Sequence, residues 1–186
     1  MATSRGCALT SHRLEVRRTL RAATIAVAMA LAGVIGYGAA ARPAAAQDPS
    51  VITLSLGYFD VIRNDEPALA GGVEWMSNRR LWIFQPMVGA MATSDGSLYG
   101  YGGVATDIFF GNRWVLTPSF AVGAYSEGDG LDLGHTLEFR SSIALSYRFD
   151  DRSRIGLRFY HLSNADIGDE NPGVEVLDLT YSIPLR

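Results

Sequence analysis

The stretch of sequence that decides the fold is residues 137–149, which read LEFRSSIALSYRF. Side chains alternate along it with a period of two, as in a β-strand that has one apolar and one polar face. The apolar face holds Leu137, Phe139, Ile143, Leu145, Tyr147 and Phe149. The opposite face, which starts one residue earlier, holds Thr136, Glu138, Arg140, Ser142, Ser146 and Arg148. The pattern predicts a strand that separates two different environments.

Similar alternation fills the chain after Gln47, where no helical period is found. Each segment is about as long as a tilted strand that crosses a bilayer, roughly 9–11 residues. We predict eight strands, at residues 51–61, 68–77, 81–93, 97–111, 113–126, 135–149, 153–165 and 173–185. The fold class is therefore all-β.

Two architectures fit such strands, a soluble sandwich and a transmembrane barrel. The polar faces carry charges of both signs, as expected for a small barrel filled by side chains: Glu74, Glu138, Arg140 and Arg148. Aromatic residues cluster near strand ends, as in interfacial girdles. Predicted connections after the second, fourth and sixth strands are short, whereas those after the first, fifth and seventh are long and acidic. These features favour an eight-stranded antiparallel transmembrane β-barrel.

The N-terminus has the pattern of an export signal. Five arginines between Arg5 and Arg21 precede an apolar run from Ala22 to about Ala41, and Ala44-Ala45-Ala46 forms a small-residue cleavage site. An uncleaved anchor helix is the alternative, since the run is nearly long enough to span a bilayer. We predict a signal peptide at residues 1–46, cleaved near Ala46, and a barrel domain at 47–186 in the bacterial outer membrane.

Composition narrows the function classes. The chain has 186 residues, a formal charge of −3 and one cysteine, which excludes a disulfide framework and a multi-cysteine metal site. That residue, Cys7, lies in the predicted signal peptide. Removing residues 1–46 would leave a domain with a formal charge of −8. We expect no metal, no cofactor and no nucleic-acid partner.

Three polar residues interrupt the apolar faces of the last two strands. Period two places His161 and Ser163 on one face of the seventh strand, and Glu175 continues the apolar face of the eighth. All three lie beside the connecting loop. A charge deep in a lipid-facing stripe costs about 2–4 kcal/mol, falling toward zero near the interface. These are the residue types of a nucleophile, a general base and an orienting carboxylate.

The motif around them resembles the signature of the PagL-type lipid A 3-O-deacylases. It comprises His161-Leu162-Ser163-Asn164-Ala165, Asn171-Pro172-Gly173 and Glu175, with 137–142 and 147–149 extending the match. That family consists of eight-stranded outer-membrane barrels that hydrolyse an ester-linked acyl chain of lipopolysaccharide. The resemblance implies that His161 is the base, Ser163 the nucleophile and Glu175 the third member of a triad.

The resemblance also implies an oxyanion hole. Asn171 is the side-chain candidate, together with a backbone N–H within residues 164–166, and Asn164 is a weaker candidate. The implied partners are lipid A and outer-membrane lipid. Two alternatives stay open: a phospholipid esterase with the same triad, and a structural or adhesive barrel without activity. The sequence does not determine the oligomeric state, and a homodimer is one of the states left open.

Overall fold

The fold is described from a computed structural model, which covers residues 48–185. The predicted signal peptide lies outside the described residues, and its cleavage stays a prediction. The described residues form nine strands: β1 (Val51–Phe59), β2 (Ala68–Met76), β3 (Gln85–Thr93), β4 (Leu98–Ala105), β5 (Ile108–Phe110), β6 (Trp114–Ser126), β7 (Leu137–Arg148), β8 (Arg154–Ser163) and β9 (Val174–Pro184). Residues 48–185 include no helix long and apolar enough to cross a membrane.

The strands close into an antiparallel barrel. Apart from β4 and β5, which do not pair with each other, each strand pairs with its neighbours along the chain. In addition β1 pairs with β9, and β4 pairs with β6. The short strand β5 continues β4 in unchanged register, because Ala105 lies opposite Ser119 and Ile108 opposite Leu116. The two segments are thus one barrel strand, and the predicted eight-stranded antiparallel barrel is confirmed.

The gap between β4 and β5 corrects the predicted uninterrupted strand at 97–111. The N–H of Thr106 donates to the carbonyl of Pro118 at 3.1 Å. Proline has no N–H to complete the ladder there. The next residue, Asp107, is buried and forms an ion pair with Arg154 at 2.8 Å. A proline and an inward ion pair therefore interrupt the ladder without changing its register.

The third strand also begins later than predicted, at Gln85 instead of residue 81. Residues 77–84 form a connection in which Leu81 and Phe84 make an isolated bridge. Between them Trp82 has a positive φ of 63° and is 74% exposed. A left-handed backbone is not compatible with an extended strand. The alternating residues 81–84 therefore belong to a turn, which is longer than the short connection predicted between residues 77 and 81.

The outside of the barrel is apolar. On β8 and β9 Leu157 and Leu179 are 57% and 54% exposed, whereas their neighbours Arg158 and Asp178 are buried. Other strands follow the same alternation, with exposed Leu54, Leu56, Val73, Val88, Phe120, Val122, Ile143 and Leu145. An apolar exterior around a polar interior is the arrangement of a barrel that crosses a lipid bilayer.

The interior holds a network of charges centred on Glu74. Its Oε2 accepts hydrogen bonds from Arg140 (2.7 Å), Arg158 (3.3 Å) and the Tyr101 hydroxyl (2.8 Å). Arg158 also pairs with Asp178 at 2.6 Å. The Arg140 guanidinium stacks over the Tyr101 ring, 4.1 Å from its centroid. Side chains therefore fill this part of the lumen, and the charges of this network have partners of opposite sign.

The two ends of the barrel differ. At one, which we call the loop end, the connections are residues 60–67, 94–97, 127–136 and 164–173. The other, the turn end, has the connections 77–84, 111–113 and 149–153. Loop-end connections contain ten acidic residues and a single arginine, Arg63. Because β8 ends and β9 begins there, the predicted site residues lie at the loop end.

Candidate active site

Three neighbouring strands bring polar side chains into one row on the outer face. Antiparallel register places Ser141 of β7 opposite His161 of β8, and His161 opposite Glu175 of β9. Directly opposed residues have Cβ atoms about 4.5–5.5 Å apart. The row interrupts apolar stripes near the loop end, with Ile143, Phe159 and Leu177 in the next outward row toward the turn end.

His161 and Glu175 are joined by a hydrogen bond. The distance from His161 Nδ1 to Glu175 Oε1 is 3.0 Å, and their side chains are 31% and 13% exposed. With Nδ1 protonated, its N–H donates to the carboxylate and Nε2 is left as a proton acceptor. The structure therefore brings together two of the three residues predicted for the triad, in an orientation that leaves Nε2 free to accept a proton.

Ser163 is the last residue of β8 and lies opposite Phe139. It is on the same face as His161, two residues further along the strand, which is about 7 Å along an extended backbone. Among residues 48–185, no hydrogen bond links Ser163 Oγ to the imidazole of His161. The two side chains share one face of β8.

The connection 164–173 is organised by Asn164, which is fully buried. Its Nδ2 donates to the carbonyls of Leu133 (2.9 Å) and Glu170 (2.7 Å). Its Oδ1 accepts the N–H of Asp166 at 3.0 Å. Its own backbone N–H donates to Asn171 Oδ1 at 3.1 Å. Both side-chain N–H groups of Asn164 are therefore already committed to holding the connection.

Asn171 lies beside Asn164 and is less constrained. Its Nδ2 donates to Asp166 Oδ1 at 3.2 Å, so one of its two N–H groups is used. Ala165 and Asp166 both have positive φ angles, 56° and 64°. Among the described residues no hydrogen bond uses the N–H of Ala165, whereas the N–H groups of residues 164 and 166 are occupied. The free donors next to Ser163 are thus the Ala165 N–H and one N–H of Asn171.

The connection 127–136 packs directly against this segment. A Cβ atom added at Gly134 would lie 2.2 Å from the Glu170 carbonyl oxygen, and one added at Gly168 would lie 2.6 Å from the Gly134 carbonyl oxygen. Contacts this short leave no room for side chains. The two backbones therefore touch, and the site segment is supported from the β6–β7 side.

Two parts of this region were not predicted from the sequence. Ser141 is a polar residue inside the apolar stripe of β7, a break that the alternation itself could have revealed. In the connection 60–67, Val61 hydrogen-bonds to Glu175 at the start of β9, and Arg63 hydrogen-bonds to Gly173 just before that strand. No local pattern signals such contacts, since more than 100 residues separate the partners.

In the described part of the chain no group of three or more His, Cys, Asp or Glu could hold a metal ion.

Comparison with known proteins places the chain in a family. A family model described as "Lipid A 3-O-deacylase (PagL)" matches residues 70–184. The chain is 32% identical over 74 residues to the lipid A deacylase PagL of Bordetella bronchiseptica, covering 39% of this chain and 42% of that protein. It is 35% identical over 54 residues to the lipid A deacylase PagL of Pseudomonas aeruginosa, covering 29% and 31%. The matches thus span less than half of the curated relatives' lengths.

A solved structure agrees with the fold. The crystal structure of the outer membrane enzyme PagL superimposes with a TM-score of 0.58 at 21% identity, covering 73% of this chain and 99% of that one. At this identity the likeness supports the barrel alone. The family assignment comes from the family model, which covers more than half of the chain. This chain belongs to the lipid A 3-O-deacylase (PagL) family.

Proposed function

We propose that the protein is a serine esterase of the outer membrane, which removes the 3-O-linked acyl chain from lipid A. The observation that carries the proposal is the His161–Glu175 hydrogen bond on the lipid-facing side of the barrel, two residues from Ser163. Family membership and the lipid A deacylase relatives support the substrate. The apolar exterior supports the proposal as well, because acyl chains of a bilayer pack against such a surface.

In the proposed reaction His161 Nε2 removes the proton from Ser163 Oγ, which attacks the ester carbonyl carbon. The tetrahedral intermediate collapses to an acyl-enzyme as the imidazolium gives its proton to the departing sugar oxygen. Water, deprotonated by the same imidazole, then attacks the acyl carbonyl, and the imidazolium returns the proton to Ser163 Oγ as the fatty acid leaves. The Glu175 carboxylate holds the ring and stabilises the imidazolium. A long serine–histidine separation before substrate binds is common, because catalytic hydrogen bonds often tighten only in the complex.

The oxyanion of that intermediate needs donors beside Ser163, each of which can be worth about 10²–10³ in rate. The N–H of Ala165 and the second N–H of Asn171 are free for this role. Asn164 stays a weaker candidate, because both of its side-chain N–H groups donate to carbonyls of the protein. No metal or cofactor is needed for these steps.

The test is mass spectrometry of lipid A and phospholipids from cells that express the wild-type protein or Ser163→Ala. We expect lipid A to lose one ester-linked acyl chain only with the wild type. Intact lipid A with cleaved phospholipid would replace the proposal with the phospholipid esterase. No lipid change with a folded wild-type protein would leave a non-enzymatic barrel.

A further inference from the structure

The connection 60–67 reaches across to the beginning of β9, which carries the proposed catalytic carboxylate. The backbone N–H of Val61 donates to the carbonyl oxygen of Glu175 at 3.0 Å. Nη2 of Arg63 donates to the carbonyl oxygen of Gly173. Two backbone carbonyls around Glu175 are therefore held by a connection that belongs to the opposite end of the chain.

Gly173 in turn forms a wall against the imidazole. A Cβ atom added to Gly173 would lie 2.8 Å from His161 Cε1 and 3.3 Å from Nε2. Gly173 also has a positive φ of 64°, a conformation that glycine adopts without steric cost. The imidazole is thus confined on its Nδ1 side by Glu175 and along its Cε1–Nε2 edge by Gly173.

The connection that carries Arg63 is itself well ordered by hydrogen bonds. Asp60 is fully buried, and its Oδ2 accepts the N–H groups of Asp65 (2.8 Å) and Glu66 (3.0 Å). The Tyr58 hydroxyl donates to Asn64 Oδ1 at 2.8 Å. Asp60 Oδ1 lies 3.7 Å from Arg63 Nε, which directs the guanidinium toward Gly173. The backbone that carries the Arg63 side chain is therefore held in place by these hydrogen bonds.

We propose that Arg63 is a positioning residue, which holds the Gly173 backbone against the His161 ring and thereby keeps Nε2 directed toward Ser163. This inference rests on the proposed function, since it assigns a role within the same site. Arg63 acts through Gly173 and His161 and does not touch the reacting atoms. Without it the segment before β9 is free to move away, and the imidazole gains orientations in which Nε2 misses the serine hydroxyl.

Arg63, the single arginine of the loop-end connections, could have another role, which is to bind an anionic group of the substrate. The two roles have different kinetic effects. A positioning residue changes kcat and the intrinsic reactivity of Ser163. An arginine that binds an anionic group of the lipid changes KM and leaves that reactivity alone. Small misplacements of catalytic groups can cost about 10² in rate. The two roles are therefore distinguished by kinetics on folded protein.

The experiment compares wild type, Arg63→Gln, Arg63→Lys and Ser163→Ala, with Arg79→Gln at the turn end as the matched arginine control. Each is purified in detergent, its folding is checked by thermal unfolding, and kcat and KM are measured on lipid A micelles. The rate at which an alkyl fluorophosphonate labels Ser163 is measured in parallel, because this probe lacks the anionic groups of lipid A. Gly173→Ala serves as a second variant, which crowds the ring while the Arg63 side chain is still present.

We expect Arg63→Gln to lower both kcat and the labelling rate by tenfold to a hundredfold, with KM within about twofold of wild type. Arg63→Lys is expected to recover part of this loss. Arg79→Gln is expected to match wild type. Gly173→Ala is expected to lower the same two quantities. Wild-type kcat and labelling in folded Arg63→Gln would overturn the inference, as would a raised KM with unchanged labelling. Full activity in Ser163→Ala would instead overturn the proposed function.

Discussion

The Nδ1 atom of His161 lies 3.0 Å from Oε1 of Glu175, and the two residues face each other directly in the β8–β9 register. The sheet itself therefore sets their distance, because opposed residues on one face have adjacent Cβ atoms. A histidine held in this way has a defined tautomer and a free Nε2 atom. The relationship makes the role of Glu175 testable apart from that of Ser163.

Glu175→Gln is expected to lower kcat by about 10²–10⁴ with little change in KM. The amide keeps the size of the side chain but loses the charge that stabilises an imidazolium, and it can force the wrong histidine tautomer. Steady-state kinetics on lipid A micelles would measure the loss. Glu170→Gln, an exposed carboxylate in the connection 164–173, is the control and is expected to behave as wild type. A kcat within twofold of wild type in Glu175→Gln would contradict the proposed triad.

Ser141→Phe is expected to reduce kcat/KM by tenfold or more. Ser141 is the partner of His161 in β7, so a large ring there would cover the surface through which an ester approaches the imidazole. Ser141→Ala keeps that space open and is expected to retain activity. Ile143→Phe, one outward position further along β7, controls for an added ring in the lipid-facing stripe. Equal activity in the two phenylalanine variants would argue that the substrate approaches from the β9 side.

Asn164→Asp is expected to loosen the connection 164–173. Aspartate can still accept the N–H of Asp166 but cannot donate to the carbonyls of Leu133 and Glu170. A buried group left unsatisfied costs about 1–3 kcal/mol. Limited proteolysis in detergent would report faster cleavage within 164–173, and kcat would fall with it. Asp169→Asn is an exposed control in the same connection. Wild-type resistance to the protease would show that the two donated bonds are dispensable.

Glu74→Ala is expected to destabilise the barrel by about 3–5 kcal/mol, the cost of leaving buried charges without their partner. Arg140 and Arg158 both bind Glu74 Oε2 in the interior. Urea unfolding in micelles, followed by tryptophan fluorescence, would show a lower midpoint. Ser55→Ala removes only one hydroxyl that contacts Arg158 and is the mild control. An unchanged midpoint for Glu74→Ala would mean that water replaces the carboxylate at little cost.

Alternation was sufficient to predict most of the barrel. In β7 residues of the predicted apolar face are exposed, as for Ile143 and Leu145, and residues of the predicted polar face are buried, as for Glu138 and Arg140. Period two is readable there because lipid and lumen demand opposite side chains. It misled at residues 81–84, where Trp82 has a left-handed backbone that sequence alternation does not reveal.

The candidate site divides in the same way. His161, Ser163 and Glu175 could be placed on a common face because each position follows from a local period within two consecutive strands. The hydrogen bond from Arg63 to Gly173 could not be foreseen, since 110 residues separate them. The β1–β9 pairing, with Phe59 opposite Val176, brings the two segments to the same place, but the side-chain contact itself lies beyond the ladder. The commitments of Asn164 are likewise three-dimensional, because one of its partners is the carbonyl of Leu133 in another connection.

The exterior position of His161 and Ser163 has a kinetic consequence. A lipid reaches such a surface by diffusing sideways within its own leaflet, and it never passes through the filled lumen. The quantity that governs encounter is then the mole fraction of substrate in the membrane and not its amount per volume of solution. Mixing the substrate with inert lipid is expected to slow turnover at constant bulk concentration, whereas adding buffer to proteoliposomes leaves the rate per protein unchanged. Encounter between the protein and its substrate would therefore depend on diffusion in the two dimensions of the membrane.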